Sequence, residues 1–199
     1  MSDVQLGNNH TGPNWYAASP SITQFGSPFA CPVAGNIHHI AARWMALSYP
    51  GSASRVVLWD GASGSILGQG GLIYPTYGTY PGQVYEADIT PVAVTAGQQV
   101  VIGFWYASKG DPVQISEPII ETTGTMWAKA AGSSAPGSMS GHGTVAYTMD
   151  AWALLTSAGG IRVKRSGAWV PATLRIKRNG SWVAPAAYVR RSGAWVRVQ

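Results

Sequence analysis

Two apolar runs with a glycine turn between them occupy residues 83–107, QVYEADITPVAVTAGQQVVIGFWYA. We predict strands over Gln83–Ile89 and Gln99–Ala107, where valine, isoleucine and aromatic residues are concentrated as they are in strands. Ala96-Gly97 supplies the turn, because glycine adopts the positive φ of a tight turn at no steric cost. The stretch therefore predicts a β-hairpin, and it sets the expectation for the rest of the chain.

The same alternation of short apolar runs with clusters of Gly, Pro, Ser and Asn continues through residues 1–157. Many short strands at such spacing are typical of a β-sandwich or barrel. Ile37–Leu47 could be a helix by composition. Its apolar residues do not recur cleanly every 3.6 residues and the segments around it are predicted strands, so we predict a strand there too. The other predicted strands are Arg55–Asp60, Ser65–Gly68, Gln114–Ile120, Thr125–Lys129 and Thr144–Leu155.

The composition agrees with an all-β chain and excludes several other classes. Only 11% of the 199 residues are charged, and the chain holds 25 glycines, 13 prolines and 9 tryptophans. A coiled coil needs many charged helix formers and few glycines. A disordered chain is not 46% hydrophobic. No run of about 18 apolar residues is present, so we expect no membrane span.

The formal net charge of +5 combines two parts of opposite sign. All eight acidic residues precede residue 151, together with only four of the thirteen Lys and Arg, so the first part carries −4. The other nine basic residues follow residue 160 with no acid among them, so the tail carries +9. This asymmetry predicts two modules with different tasks, which we place at residues 1–157 and 158–199.

The tail repeats itself with a fixed period of 13 residues. The copies are VKRSGAWV from Val163, IKRNGSWV from Ile176 and VRRSGAWV from Val189. Asn179-Gly180 is a favoured two-residue type I′ turn, and Ser-Gly takes its place in the other two copies. We therefore predict a β-sandwich followed by a small module of three 13-residue β-hairpin repeats.

A two-residue turn in each hairpin places a cation opposite a tryptophan. The predicted pairs are Lys164 with Trp169, Lys177 with Trp182, and Arg190 with Trp195. A cation over an indole contributes about 0.5–1 kcal/mol at an exposed site. Because an isolated hairpin is marginal in water, we expect the three to stack on each other, on the sandwich or on neighbouring subunits. These six residues are our candidate assembly or docking positions.

Four segments of the first module together resemble a known family. They are Phe29–Ala46, VLWDGASGSILG from Val57, DITPVAVTAGQQVV from Asp88 and YTMDAW from Tyr147. In this order they resemble a jelly-roll-like β-sandwich family of unknown function, found in bacterial surface proteins and bacteriophage virion proteins. The resemblance implies a jelly-roll-like β-sandwich and supplies no catalytic residues.

Residues 161–199 resemble the short Gly-Trp repeats, of pattern V.R.G.WK, at the ends of many minor tail and other virion proteins of actinobacterial phages. The N-terminal residues MSDVQLGNNHTGPNW do not combine a basic region with an apolar stretch, so we expect no secretory signal. Both features predict a virion structural protein that is made in the bacterial host cytoplasm. A minor tail protein of the tip or fibre is the first hypothesis, and a capsid decoration or head-fibre protein is the alternative.

Patterns typical of enzymes and metal sites are not apparent. The sequence has four histidines and one cysteine, Cys31, without H-x-x-x-H or C-x-x-C spacing. Adjacent His38 and His39 on one strand are expected to point to opposite faces. Gly137-Ser-Met-Ser-Gly has Met at its centre and so is no nucleophile elbow, and no spacing selects a carboxylate pair. We therefore expect no enzyme activity, no metal and no cofactor.

A row of tyrosines, Tyr74, Tyr77 and Tyr80, recurs every third residue between prolines and glycines. That spacing aligns side chains on one edge of a polyproline-II segment. The row suits a host-surface glycan or a partner protein, so a carbohydrate-binding module is the alternative from another class. The interpretation that we favour is that the tyrosines pack the loop onto its own sandwich or seal a subunit contact.

The basic tail indicates the kind of partner to expect. We rank an acidic protein, such as another virion protein, first, an anionic glycan second and nucleic acid third, since no nucleic-acid recognition module is visible. A homo-oligomer is expected, and resemblance to phage fibres makes a trimer one candidate.

Overall fold

The computed structural model describes residues 3–8, 14–16, 22–46, 53–75, 82–107, 116–121, 123–130, 135–157, 161–165, 168–172, 176–178, 181–183, 187–191 and 194–198. Within these ranges the chain forms strands and no helix, so the all-β prediction is confirmed. Accordingly, no helix in these ranges is long and apolar enough to cross a membrane. The chain divides into two compact units, Met1–Ala158 and Gly159–Gln199.

The strands of the first unit form two antiparallel sheets. In chain order the strands are β1 (Asp3–Asn8), β2 (Asn14–Trp15), β3 (Gln24–Ala30), β4 (Gly35–Ala46), β5 (Ser54–Asp60), β6 (Ile66–Gln69), β7 (Gln83–Val94), β8 (Gln99–Tyr106), β9 (Ser116–Glu121), β10 (Met126–Lys129), β11 (Gly143–Val145), β12 (Thr148–Met149) and β13 (Ala151–Ser157). The seven-stranded sheet has the order β1-β13-β4-β9-β12, with β7 also paired to β4 and β2 to β9. The six-stranded sheet has the order β11-β10-β3-β8-β5-β6.

The two sheets pack on each other through one hydrophobic core, which confirms the predicted sandwich. Ile37 and Ile40 of β4 meet Ile102 and Phe104 of β8 in this core, and all four are fully buried. Trp44 of β4 stacks on Phe104 with ring centroids 4.4 Å apart and an interplanar angle of 9°. Burial of large aromatic side chains between the sheets is the main source of stability in such a fold.

The two strands predicted on either side of Ala96-Gly97 are present as β7 and β8, with β7 running to Val94 rather than ending at Ile89. The predicted β-hairpin is wrong, because β7 pairs with β4 in the seven-stranded sheet whereas β8 pairs with β3 and β5 in the six-stranded sheet. The turn at Ala96-Gly97 therefore carries the chain from one sheet to the other.

Pro91 lies inside β7, where the pairing with β4 shifts register between Ile37 and His39. A proline cannot donate to the sheet ladder, and a bulge is one of the places that tolerates it. The ambiguous segment at residues 37–47 is strand β4, as predicted.

Two predictions of strand extent were wrong. β1, β2 and most of β3 were not predicted, because sequences such as DVQLGN and QFGSP lack the β-branched runs that mark strands. Thr144–Leu155 was predicted as one strand and is three, because β11 belongs to the six-stranded sheet whereas β12 and β13 belong to the other. The chain therefore changes sheets after Val145, which a run of apolar residues does not reveal.

A smaller apolar cluster, the outer cluster, covers the opposite face of the six-stranded sheet. Its buried members are Val57, Trp59, Val101, Trp105, Ala107 and Met139. Val56 and Leu58 of β5 face the main core while Val57 and Trp59 face the outer cluster, so both faces of β5 are buried. Trp59 donates its indole N–H to the Gly137 carbonyl at 2.9 Å. Residues 137–139 therefore lie over this face of the sheet.

The close approach of β3 and β8 predicts a strong effect at Gly103. Gly103 pairs with Gly26 in register, and a Cβ added to it would overlap the carbonyl oxygen of Phe25. We expect Gly103→Ala to lower the free energy of unfolding by about 1–3 kcal/mol in denaturant titrations. Gly71→Ala is the matched control, because nothing lies within 4 Å of a Cβ there. Equal stability of the two variants would contradict the close packing of β3 on β8.

The described residues of the second unit form three antiparallel two-stranded sheets. They pair β14 (Ile161–Arg165) with β15 (Ala168–Ala172), β16 (Ile176–Arg178) with β17 (Ser181–Val183), and β18 (Ala187–Arg191) with β19 (Ala194–Val198). The turn residues between the strands of each pair, Asn179-Gly180 among them, lie outside the described residues, so the turn type stays a prediction.

Candidate functional site

The candidate docking positions of the tail occupy equivalent places in the three hairpins. The Cα register sets Lys164 opposite Trp169, Lys177 opposite Trp182, and Arg190 opposite Trp195. Residues directly opposite each other in an antiparallel pair share one face of the ribbon. The same cation–tryptophan pair is therefore repeated three times at one register position, and contact between cation and indole stays a prediction.

Tyr74 is the described member of the tyrosine row, while Tyr77 and Tyr80 lie outside the described residues. Ile73 pairs with Ser54 through two backbone hydrogen bonds of 2.8 Å, which hold this segment extended. Ile73 packs against the core, whereas the side chains on either side of it, Leu72 and Tyr74, are 48% and 69% exposed. Most of the Tyr74 side chain is therefore not packed onto its own sandwich. A subunit contact and a glycan contact remain as the alternatives.

The two adjacent histidines share one face of the sheet, which corrects the sequence expectation. Ile37 and Ile40 both point into the main core, and consecutive residues of β13 pair with His39 and Ile37, so His38 is an extra residue in β4. Regular alternation would put only one of these isoleucines in the core. A bulge that inserts one residue reverses the alternation, so that His38 and His39 both lie on the outer face. Sequence periodicity alone gives no sign of this bulge.

Each histidine faces a different carboxylate partner. His38 Nε2 lies 3.3 Å from Asp3 Oδ1 on β1, and Asp3 also accepts a hydrogen bond of 3.0 Å from the Thr156 hydroxyl. His39 Nδ1 lies 2.8 Å from Asp88 Oδ1, with Glu86 on the far side of its ring, both on β7. The hydrogen bonds from Thr156 and His38 lower the pKa of Asp3. The histidines thus bridge β4 to different strands and do not converge on one point.

An ion pair between β4 and the residue that precedes β13 is shielded from solvent. Asp150 is fully buried, and its Oδ2 lies 3.6 Å from Arg43 Nε. Asn8 donates to Asp150 Oδ1 at 3.3 Å, and the Arg43 amide donates to the Asp150 carbonyl at 2.8 Å. Asp150 also donates its own amide to the Ile119 carbonyl at 2.9 Å. These bonds connect β1, β4 and β9 at one residue, so the pair is a structural clamp.

Glu117 on β9 is a buried carboxylate in a poor environment for charge. It is 6% exposed, and its Oε2 has no hydrogen-bond partner among the residues that the structure describes. Burial raises the pKa of this carboxyl, because the ionised form loses hydration. The penalty for charge on Glu117 is therefore complete above the raised pKa, fades as pH falls toward the unfolded-state pKa of about 4.3, and is absent below it.

We expect Glu117→Gln to raise the melting temperature at pH 7 and to raise it less at pH 4, because the amide removes the charge that burial penalises. Thermal unfolding at the two pH values measures this. Glu121→Gln, at a more exposed position of the same strand, is the control and should change little. A lower melting temperature for Glu117→Gln at pH 7 would mean that the charge has a favourable partner.

A cleft beside the outer cluster was not predicted from the sequence. Its lining includes Gly61–Gly64, Trp127 and residues 139–142, and it encloses about 170 Å³. Trp127 and His142 stack there with centroids 3.6 Å apart and an interplanar angle of 11°. In the sequence, residues 137–141 show only the spacing of a nucleophile elbow, with Met in place of the nucleophile. His142 follows Trp127 by fifteen residues, and this spacing does not indicate a contact in the sequence. The two rings meet because of the turn between them.

Comparison with known proteins gives no further guide: no family model and no curated protein matches the chain.

Proposed function

We propose that the chain is a non-enzymatic structural protein of a bacteriophage virion, a minor tail protein of the tip or fibre. In this proposal the β-sandwich is displayed outward, and the tail hairpins attach it to acidic neighbours in the particle. The observation that carries the proposal is the threefold recurrence of a cation opposite a tryptophan at one register position. A repeated basic ribbon of this kind suits a repeated acidic partner surface.

The charges of the sandwich support this division of tasks. Its described cations are engaged internally: Arg43 with Asp150, Arg55 with the Gly70 carbonyl at 2.7 Å, and Lys129 with the carbonyls of Ser138 and Ser140. Asp88, Glu86 and Asp3 remain substantially exposed on the outer face, with side-chain exposures of 91%, 62% and 42%. The sandwich therefore presents acidic charge, and the tail supplies the basic charge for docking.

A carbohydrate-binding function for host-surface attachment is the second candidate. The exposure of Tyr74 and Leu72 favours it, because an exposed aromatic side chain can stack on a sugar ring. Tyr74→Ala should then reduce adsorption of particles to host cells without reducing the amount of the chain in each particle. An equal reduction in adsorption and in the amount of the chain per particle would assign Tyr74 to a subunit contact instead.

The experiment that tests the proposal is electron microscopy of purified virions labelled with an antibody to the sandwich. Label at the tail tip or fibres is the expected result. Label on the head would replace the tail assignment with a capsid decoration or head-fibre protein. Absence of the chain from purified particles, measured by mass spectrometry, would contradict a virion role altogether.

A further inference from the structure

The cleft between two turns of the sandwich has the construction of a small binding site. One wall is the turn between β5 and β6, at residues 61–64, and the other is the turn at residues 139–142. The two turns are joined by a hydrogen bond of 2.8 Å from the Met139 amide to the Gly64 carbonyl and another of 3.1 Å from the Ser138 hydroxyl. The cleft therefore has a fixed width.

The floor of the cleft is a pair of stacked rings whose orientation is fixed. His142 donates its Nδ1–H to the Met139 carbonyl at 2.9 Å, which leaves Nε2 as the second polar atom of the imidazole. The His142 ring lies nearly parallel to Trp127, which itself packs on the outer cluster. Such a floor loses little conformational entropy when a ligand binds, and preorganisation of this kind favours affinity.

The wall at residues 61–64 is equally ordered before any ligand arrives. Asp60 Oδ1 accepts hydrogen bonds from the Ala62 amide at 3.0 Å, the Ser63 amide at 2.8 Å and the Ser63 hydroxyl at 3.1 Å. These hydrogen bonds, chiefly the one from the Ser63 amide, lower the pKa of Asp60. They also occupy its carboxylate within the turn. Ala62 is exposed, so its methyl group marks the rim of the wall.

The chemistry of the lining selects an uncharged ligand with both an apolar face and hydroxyl groups. The lining residues that the structure describes are Gly, Ala, Ser, Met, Trp and His, with neither a carboxylate nor a Lys or Arg among them. Neighbouring Lys129 donates to the carbonyls of Ser138 and Ser140. A volume of about 170 Å³ is below the roughly 300 Å³ at which sites for drug-sized ligands begin, so it suits a single ring.

We propose that this cleft binds one neutral hexopyranose unit, with the apolar face of the sugar ring against the His142 imidazole. The hydroxyls of Ser63 and Ser140, the His142 Nε2 and the glycine backbone supply hydrogen-bonding groups for the sugar hydroxyls. The site is separate from the Tyr74 surface, and it does not depend on a place in the virion. Single-site affinity for such a small ligand is expected to be weak, with a Kd of about 1 mM.

The test is saturation-transfer NMR on the full chain with the methyl glycosides of glucose, galactose, mannose and N-acetylglucosamine. We expect saturable transfer from the protein to the ring C–H protons of at least one of the four. Ala62→Tyr, which fills the cleft from its rim, should abolish this transfer. Ala93→Tyr places the same side chain on an exposed position of β7 outside the cleft and should leave transfer unchanged.

Two results would overturn the inference. One is the absence of transfer to all four sugars. If N-acetyl-tryptophanamide then shows transfer, the occupant of the cleft is an aromatic peptide and not a sugar. The other is transfer that persists in Ala62→Tyr, which would locate the sugar elsewhere on the chain. Incorporation of Ala62→Tyr into virions measures the proposed virion role separately, so failure of one proposal leaves the other standing.

Discussion

Replacement of Asp150 by alanine is expected to lower the free energy of unfolding by about 3–5 kcal/mol, the typical effect of removing one partner of a buried ion pair. The carboxylate is fully buried, and Arg43 opposite it has a side chain only 17% exposed. Without Asp150 the guanidinium remains in a poorly hydrated position without its counter-charge. Guanidinium chloride titration of the full chain, followed by tryptophan fluorescence, measures the change.

A double-mutant cycle separates the ion pair from the other contacts of Asp150. Arg43→Met keeps much of the side-chain volume and removes the charge, so the double variant Arg43→Met/Asp150→Ala should lose less stability than the sum of the two single variants. Additive losses would show that the two charges do not interact, and they would contradict the clamp described above.

Replacement of Trp44 by alanine is expected to cost about 3–5 kcal/mol, as for other large aromatic side chains in a core. Trp44 is fully buried, stacks on Phe104 and also contacts Tyr85, with ring centroids 4.2 Å apart. Tyr74→Ala is the matched aromatic control, because a side chain that is 69% exposed should change the free energy of unfolding by less than about 0.5 kcal/mol.

A third variant, Trp44→Phe, refines this prediction. The indole nitrogen of Trp44 is buried without a hydrogen-bond partner among the described residues, so phenylalanine sacrifices no hydrogen bond to them. It also retains a ring that can stack on Phe104. We therefore expect Trp44→Phe to cost much less than Trp44→Ala. Equal losses for the two variants would mean that the stack contributes little.

The features that could be predicted from sequence are those encoded locally. Strands β7 and β8 follow from apolar runs on either side of Ala96-Gly97, although their places in different sheets do not. The cross-strand pairs of the tail follow from a fixed repeat with a two-residue gap. The features that could not be predicted depend on partners distant in the sequence. Gln24 and Ser27 are fully buried in β3 because β8 and β10 flank that strand, although neither residue type indicates a buried strand.

The candidate sites follow the same division. The bulge that turns His38 and His39 to one face arises in the pairing of β4 with β13, and periodicity assumes that no residue is inserted. The stack of Trp127 on His142 depends on a turn held by Gln24, whose side chain accepts a hydrogen bond of 2.6 Å from the Gly137 amide. Residue types alone therefore indicated the tyrosine row and the basic hairpins, but not the cleft.

The central claim is that the basic hairpins attach the displayed sandwich to a virion. The most direct test is the number of copies per purified particle for the wild-type chain and for the full-length variant Lys164→Glu/Lys177→Glu/Arg190→Glu. Each substitution replaces a positive charge by a negative one and changes the net charge by two units, so the tail falls from +9 to +3. We predict that the wild-type chain is present at constant stoichiometry and that the variant, with its sandwich still folded in the lysate, is lost from particles. Incorporation of the variant at the wild-type level would contradict the account.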